Sequence, residues 1–330
     1  MKKYQIIKSL AARLFTSILL LFLLVTFLFF LLRLAPGNPA GKYLAPELSP
    51  ELNKAIREEF SLDQPVFEQY YSFISNLFQG QFGTSFGYRR PVLDVIFEFI
   101  PFTIILSLVA MIIQIMIGYY LAVYIFKKDK PGLDRKASAL SLLVYSAPTF
   151  VTGILLILIF SETLSLLPSS GIRSYYYQDP GFVETAWDYI KHLILPVITL
   201  SIGGAALFYT YFRENLNEVS GKLFVLNLRA NGFREKEIMK HHIMPNSLSP
   251  IISAASVEFG ILLGGALITE VIFSLPGMGR LTVNAILARD YPLIIGCSFF
   301  AGCMIILAGL AGDLIKAKLD PRMLSAGVLN

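Results

Sequence analysis

Few residues in this chain could carry out chemistry. The three histidines offer no metal-ligand spacing: His241 and His242 are adjacent, His192 lies an apolar stretch away, and no H-E-x-x-H occurs. Cys297 and Cys303 share one apolar stretch and point to well-separated sides of a helix, so they read as small packing residues rather than a disulfide or a metal pair. There is no G-x-x-x-x-G-K-S/T loop to cradle ATP phosphates and no G-x-S-x-G elbow, so intrinsic catalysis and a bound cofactor are not expected. The acid that stands out is Glu258, the one charge inside a long apolar stretch. Such a carboxylate is costly in lipid and is expected to line a water-filled path or meet a basic partner across a bundle. Gly264 and Gly265 lie close by and join Glu258 as candidate path residues. The Gly260 to Gly264 spacing also permits close helix contact, a packing role. Glu270 and Asp313 fall at the ends of apolar stretches, where solvation makes charge cheap and orientation or capping suffices.

A second constellation is mechanical rather than catalytic. Residues 213–242 are mixed in charge, rich in helix formers and broken by Gly221 and Gly232. The pattern predicts a short helix over 222–230 with Leu223, Phe224, Leu226 and Leu228 on an apolar face. A tight left-handed turn at Asn231-Gly232 follows, then a second short helix over 234–241. Pro245 and Pro250 lead out of it. A glycine-hinged helix pair with an apolar face is suited to receive force from a partner; a solvated loop needs neither feature.

The elements that hold these residues are set by lipid. Six stretches, 14–32, 101–126, 137–161, 193–212, 243–269 and 291–312, are each long enough to cross a bilayer core of about 30 Å. The fifth, at 27 residues, is expected to include some turn before its helix. The chain is 55% hydrophobic and only 15% charged, against about 25% in ordinary soluble domains. The short alternating segments of a membrane β-barrel are absent. Residues 14–32 exceed a signal-peptide core and end in Arg33 without a small-residue cleavage site, so they read as the first span. The expected fold is all-α: a polytopic bundle of six transmembrane helices forming a single domain over residues 1–330.

Basic residues orient this bundle. Segments 1–13, 127–136, 213–242 and 313–330 hold 18 Lys and Arg in 71 residues, against 10 in 120 residues for 33–100, 162–192 and 270–290. The first set, with both termini, is therefore expected in the cytoplasm. The net charge of +5 reflects this topology and gives no sign of nucleic-acid binding. Segment 33–100, the extracytoplasmic segment, is too long for a passive connection. Ser49-Pro50 opens one candidate helix with Leu52, Ile56 and Phe60 on a stripe, and Pro65 opens another that closes at Gly80. A lid over the bundle and a docking surface for an external partner both fit. In loop 162–192, Tyr175-Tyr176-Tyr177 and Trp187 suit an interfacial aromatic belt.

Leu34-Ala35-Pro36-Gly37-Asn38-Pro39, Arg229-Ala230-Asn231-Gly232 with Pro245 thirteen residues on, and Pro276-Gly277-Met278-Gly279-Arg280 stand in that order along nearly the whole chain. Together they resemble motifs of the permease subunit of ATP-binding-cassette importers, in the oligopeptide, dipeptide and nickel group. Gly232 and Pro245 have the spacing of that family's cytoplasmic signature, and Arg229-Ala230-Asn231-Gly232 resembles its R-A-x-G. Leu34-Ala35-Pro36-Gly37-Asn38-Pro39, Phe82-Gly83-Thr84-Ser85 and Arg90-Pro91-Val92 are similar to its motifs after the first span. Pro276-Gly277-Met278-Gly279-Arg280, Arg289-Asp290-Tyr291-Pro292 and Leu319-Asp320-Pro321-Arg322 resemble its later ones. Departures are Leu226-Asn227-Leu228 in place of R-T-A, Leu275 in place of tryptophan and Glu258 in place of glutamine.

The resemblance implies a type I importer bundle in the bacterial inner membrane. A second homologous permease chain would share the translocation path, two ATP-binding subunits would hold ATP and Mg and carry out hydrolysis, and an extracytoplasmic binding protein would deliver a peptide or related solute. Residues 213–245 would be the cytoplasmic coupling segment, with Arg229, Ala230, Asn231, Gly232, Phe233 and Glu235 at the ATPase contact. The competing class is a secondary transporter or channel without ATPases. It is disfavoured by the lack of an internal repeat and the single mid-span acid.

Overall fold

The computed structural model describes residues 2–34, 64–174, 181–264 and 266–319. Among them every regular element is a helix, with one isolated antiparallel pairing, Thr84 with Pro91. Several expected features lie outside the described residues: the helix opened by Ser49, the motif residues 35–39, the tyrosine run 175–177, Gly265, and the closing residues 320–322.

Twelve helices follow in chain order among the described residues. The first is α1 (Lys2–Leu34). On the stretch after it lies α2 (Val66–Phe78), starting at Pro65 and followed by Gly80 at φ +76°, as its local signals predict. Then come α3 (Val92–Lys128), α4 (Pro131–Ser146) and α5 (Thr149–Leu156), the last running into a wide π-type turn (Ile157–Thr163). The long α6 (Phe182–Ser220) precedes α7 (Leu223–Ala230) and α8 (Glu235–Ile238), which continues through a π-type turn (Met239–Ile243) into α9 (Met244–Leu263). The chain closes with α10 (Leu267–Ile272), α11 (Met278–Ala288) and α12 (Tyr291–Leu319).

Five helices among the described residues are long and apolar enough to cross a membrane, and a sixth span results if α4 and α5 count as one. Those two meet at a bend of 93°, so 137–161 is not the straight span its hydropathy suggests. The bend sits at Ala147-Pro148, where both residues take extended backbone; the proline ring disfavours helix at the residue before it. The fourth span starts earlier than its apolar run, because α6 takes up polar residues 182–192, including Trp187, that read as loop. The fifth is continuous with the helical backbone before it and breaks afterwards, at Gly264, leaving Thr269 on the separate α10. Pro101, Pro196 and Pro250 lie inside helices, tolerated where packed neighbours re-satisfy the freed carbonyls.

The core forms where α3 crosses α6 and α9 crosses α12. At the first crossing the backbones nearly touch: a Cβ on Gly118 would lie 2.6 Å from Phe208 Cβ and 2.7 Å from Tyr209 N. Gln114 donates to the Leu200 carbonyl (3.0 Å) and Ser107 to the Leu262 carbonyl (3.0 Å), the interhelical polar contacts expected where lipid offers no partner. At the second crossing Gly260 and Gly264 sit 3.4 Å, measured from an added Cβ, from Ile305, which is the packing use of that spacing. Cys297 is fully buried in this region with Val92, Ile96 and Leu281. Many side chains on the outer surface are large and apolar, among them Phe15, Leu108 and Leu143, so the surface suits lipid.

Candidate functional site

Two assemblies occupy opposite parts of the sequence's motif set. The first is the segment between α6 and α9. Helix α7 closes in a Schellman motif. The Phe233 amide donates to the Leu228 carbonyl (3.2 Å) and the Gly232 amide to the Arg229 carbonyl (3.0 Å). Gly232 holds φ +79°, as the Asn231-Gly232 signal predicts, and an added Cβ there would meet nothing within 4 Å. Its requirement for glycine is thus conformational and not steric. Asn231 remains at negative φ and donates its side-chain amide to the Asn227 carbonyl (2.8 Å). Across the turn, Arg229 Nε donates to Glu235 Oε1 (2.6 Å) and Nη2 to Oε2 (3.3 Å), while Nη1 reaches the Ser220 carbonyl (3.4 Å). The hydrogen bond to Glu235 raises the Arg229 guanidinium above its usual value. Both side chains are largely exposed, so the pair adds at most about 1 kcal/mol and mainly sets the angle between α7 and α8.

The two faces of α7 have separate destinations. Val225 is fully buried, and with Ile238 and Ile243 it joins a cluster containing Phe208, Phe212 and Leu216 of α6 and Ile125 of α3. Each such side chain contributes roughly 1.5–3 kcal/mol of burial, which seats the segment on the span bundle. Of the four apolar residues expected to line one face, only Leu228 packs inward. Leu223, Phe224 and Leu226 are exposed, as is Phe233. Ala230 and Asn231 are exposed beside them. The signal for Val225 was its place three residues before Leu228. The bundle end is braced further by a two-pronged Arg213–Asp134 contact between α6 and α4, and by Ser247 donating to the Ile243 carbonyl (2.8 Å) and the Asn215 carbonyl (3.3 Å).

The second assembly surrounds Glu270, for which solvation at a span end is the wrong account. Its side chain is completely buried. It accepts three hydrogen bonds: from Thr103 Oγ1 (2.9 Å), from the Gly279 amide (2.6 Å) and from the Arg280 amide (3.1 Å). The last two are free amides of the first turn of α11, so the carboxylate caps that helix from α10. Thr103 Oγ1 in turn accepts the Met278 amide (2.8 Å). This explains the glycines of the Pro276–Arg280 motif: a Cβ on Gly277 would overlap the Glu270 carboxylate, and one on Gly279 would lie 2.7 Å from Leu267 Cα. Leu275, the departure from tryptophan, is fully buried against Phe273, Leu195 and Leu106. Asp290 plays a parallel part. It accepts Ser85 Oγ (2.5 Å) and the Gly87 amide (2.9 Å), hanging the 82–92 turn on the start of α12, and it also receives the Leu293 amide (3.3 Å). Asp313, likewise buried and not solvated, pairs with Arg13 of α1 and lies 3.7 Å from Lys316.

Glu258 is half-buried on α9 and has no hydrogen-bond or ion-pair partner among the described residues. It lies apart from both assemblies, and Gly264 is one of the residues packed on Ile305. On the side of α2, Phe29 of α1 stacks on Phe73 (centroids 5.2 Å apart), Arg33 donates to Gln69 (2.7 Å), and Thr26 shares a hydrogen bond with Tyr70 (2.9 Å). The outer face of α2 leaves Phe67, Tyr71 and Phe78 open.

Residues 114–325 match the family described as the binding-protein-dependent transport system inner membrane component, and residues 6–108 match that family's N-terminal region. The chain belongs to this family. It is 31% identical over 318 residues to the dipeptide transport system permease protein of Lactococcus lactis subsp. cremoris, covering 96% of this chain and 99% of that one. It is 30% identical over 320 residues to the nickel import system permease protein of Staphylococcus aureus, covering 96% and 92%. Among solved structures it is similar to a methionine ABC transporter in inward-facing conformations (TM-score 0.51, 16% identity, 69% of this chain and 97% of that one). An amino acid ABC transporter structure gives a TM-score of 0.52 at 17% identity, over 68% and 94%. The two structural likenesses establish the fold: an all-α, multi-pass membrane bundle of the ABC-importer permease type.

Proposed function

We propose that this chain is one of two homologous permease subunits of an ATP-driven importer for peptides or a related small solute such as a nickel chelate. The observation that carries the coupling part of this reading is the two-faced α7. Its inner side is set into the bundle through Val225 and Leu228, while Leu223, Leu226 and Phe233 present an uncovered apolar surface beside the braced Arg229–Glu235 turn. Apolar side chains held open on a short rigid element suit a cleft in a soluble partner. In this reading the partner is an ATP-binding subunit, which holds ATP and Mg and performs the hydrolysis. Arg229, Ala230, Asn231, Gly232, Phe233 and Glu235 form the contact.

Because Val225, Ile238 and Ile243 share a cluster with α3 and α6, displacement of the segment moves these helices as a body and does not bend a loop. Glu258, Gly264 and Gly265 are assigned to the path formed with the second permease chain. The termini and residues 213–245 lie in the bacterial cytoplasm, and an extracytoplasmic binding protein delivers the solute on the side of α2. Co-purification from mild detergent tests the reading. ATP-binding subunits should accompany the chain and be lost on Leu226→Asp, whereas a chain that transports without any ATPase would be a secondary transporter or channel.

A further inference from the structure

A cavity of about 1100 Å³ lies at the root of the coupling segment, between the end of α3, the α3–α4 connection, the end of α6 and the α8–α9 junction. Two of its arginines are already neutralised, Arg213 by Asp134 and Arg229 by Glu235. Four lysines remain: Lys127 and Lys130 on one wall, Lys236 and Lys240 on the other, with Asp129 as the single unspent acid facing them. None of the four lysines has an ion-pair or hydrogen-bond partner among the described residues. The rest of the lining is mixed: Val123 and Phe126 from α3, Met239 before α9 and Met244 at its start are apolar, and Asn217 and Ser220 at the end of α6 are polar. Lys127 directly follows the second apolar stretch, so the change from apolar wall to ammonium groups falls at the bilayer boundary.

We infer that this cavity binds a phosphate-bearing anion, supplied by the headgroup of an anionic phospholipid. The volume exceeds that of ordinary small-molecule sites, leaving room for a headgroup and the first acyl carbons. Ammonium groups recognise phosphate as point charges, and basic pockets between spans on the cytoplasmic side suit anionic headgroups. The two lysine pairs belong to separate parts of the fold, so one phosphate between them ties the α3–α4 connection to the coupling segment. The lipid thereby stiffens the lever that the proposed ATPase contact acts on. The site itself is tested on the purified full chain alone, so its failure is separable from failure of the coupling reading.

The experiment compares retention of tail-labelled phosphatidylglycerol and phosphatidylcholine by the chain in a non-ionic detergent. The expected result is a preference for phosphatidylglycerol that falls about tenfold or more in Lys130→Gln/Lys240→Gln and persists in Lys130→Arg/Lys240→Arg. Lys130→Gln alone, at an exposed position, serves if the double variant does not fold, and it should lower the preference in part. Equal retention of the two lipids, or an unchanged preference in the glutamine variants, overturns the site. Displacement of the lipid by millimolar inorganic phosphate keeps the phosphate chemistry but overturns the lipid as its source.

Discussion

Glu270→Ala removes the acceptor of three donors, the Thr103 hydroxyl and the Gly279 amide in a buried setting and the Arg280 amide in a part-buried one. A hydrogen bond to a charged group contributes about 1.5–3 kcal/mol net, and a buried donor left unpaired costs about 1–3 kcal/mol. Three such losses give roughly 4–9 kcal/mol. The desolvation cost of burying the carboxylate, which the alanine variant no longer bears, offsets several kcal/mol of this. The expected net destabilisation is therefore about 3–5 kcal/mol, concentrated where α10 and α11 meet α3. Glu270→Gln keeps one oxygen for the Gly279 and Arg280 amides and turns its NH₂ toward Thr103, whose hydroxyl can accept, so it should cost only about 1 kcal/mol. The assay is thermal unfolding of the purified chain in mild detergent. The alanine variant should melt several degrees lower and the glutamine variant close to wild type. An alanine variant that melts with wild type, or a glutamine variant as unstable as alanine, refutes the capping argument.

Gly232→Val forces a side chain into positive φ at a cost of about 1–2 kcal/mol. Because space there is open, Gly232→Asn should restore most activity. The valine protein is expected to insert normally but lose transport and substrate-stimulated ATP hydrolysis in reconstituted vesicles. Glu258→Gln should preserve folding and alter transport rate or substrate preference, and unchanged kinetics over several substrates would leave the acid with packing alone. For topology, single cysteines at Gln81 and Ser170, in a background lacking Cys297 and Cys303, should react with an impermeant reagent added outside intact cells, and one at Glu218 should not. Ser85 is unsuitable for this because its hydroxyl is buried against Asp290.

What was legible in the sequence was local. Pro65 and Gly80 bracket α2 because a helix start and stop are each written within a few residues. The Asn231-Gly232 turn is legible for the same reason, and the span count follows from hydropathy. The bend at Pro148 was missed because an apolar run reads the same whether straight or folded back. The role of Glu270 was not visible because its partner Thr103 lies 167 positions away, and Ser85 and Asp290 are separated by 205. Position at a span end says nothing about whether water reaches a carboxylate; tertiary packing decides that. On α7 the composition announced an apolar face, but only the packed bundle shows that Val225 and Leu228 point inward and that Leu223 and Leu226 are left for a partner.

The most direct test of the central claim is solute uptake into vesicles that hold the assembled permease pair with its ATP-binding subunits. Binding protein and labelled peptide are supplied outside and nucleotide within. Uptake that requires both hydrolysable ATP and the binding protein, and that is lost in Leu223→Asp/Leu226→Asp while the protein remains in the membrane, is the result predicted. Uptake that proceeds on an ion gradient without ATP, or that is indifferent to the charged α7 face, would contradict the account.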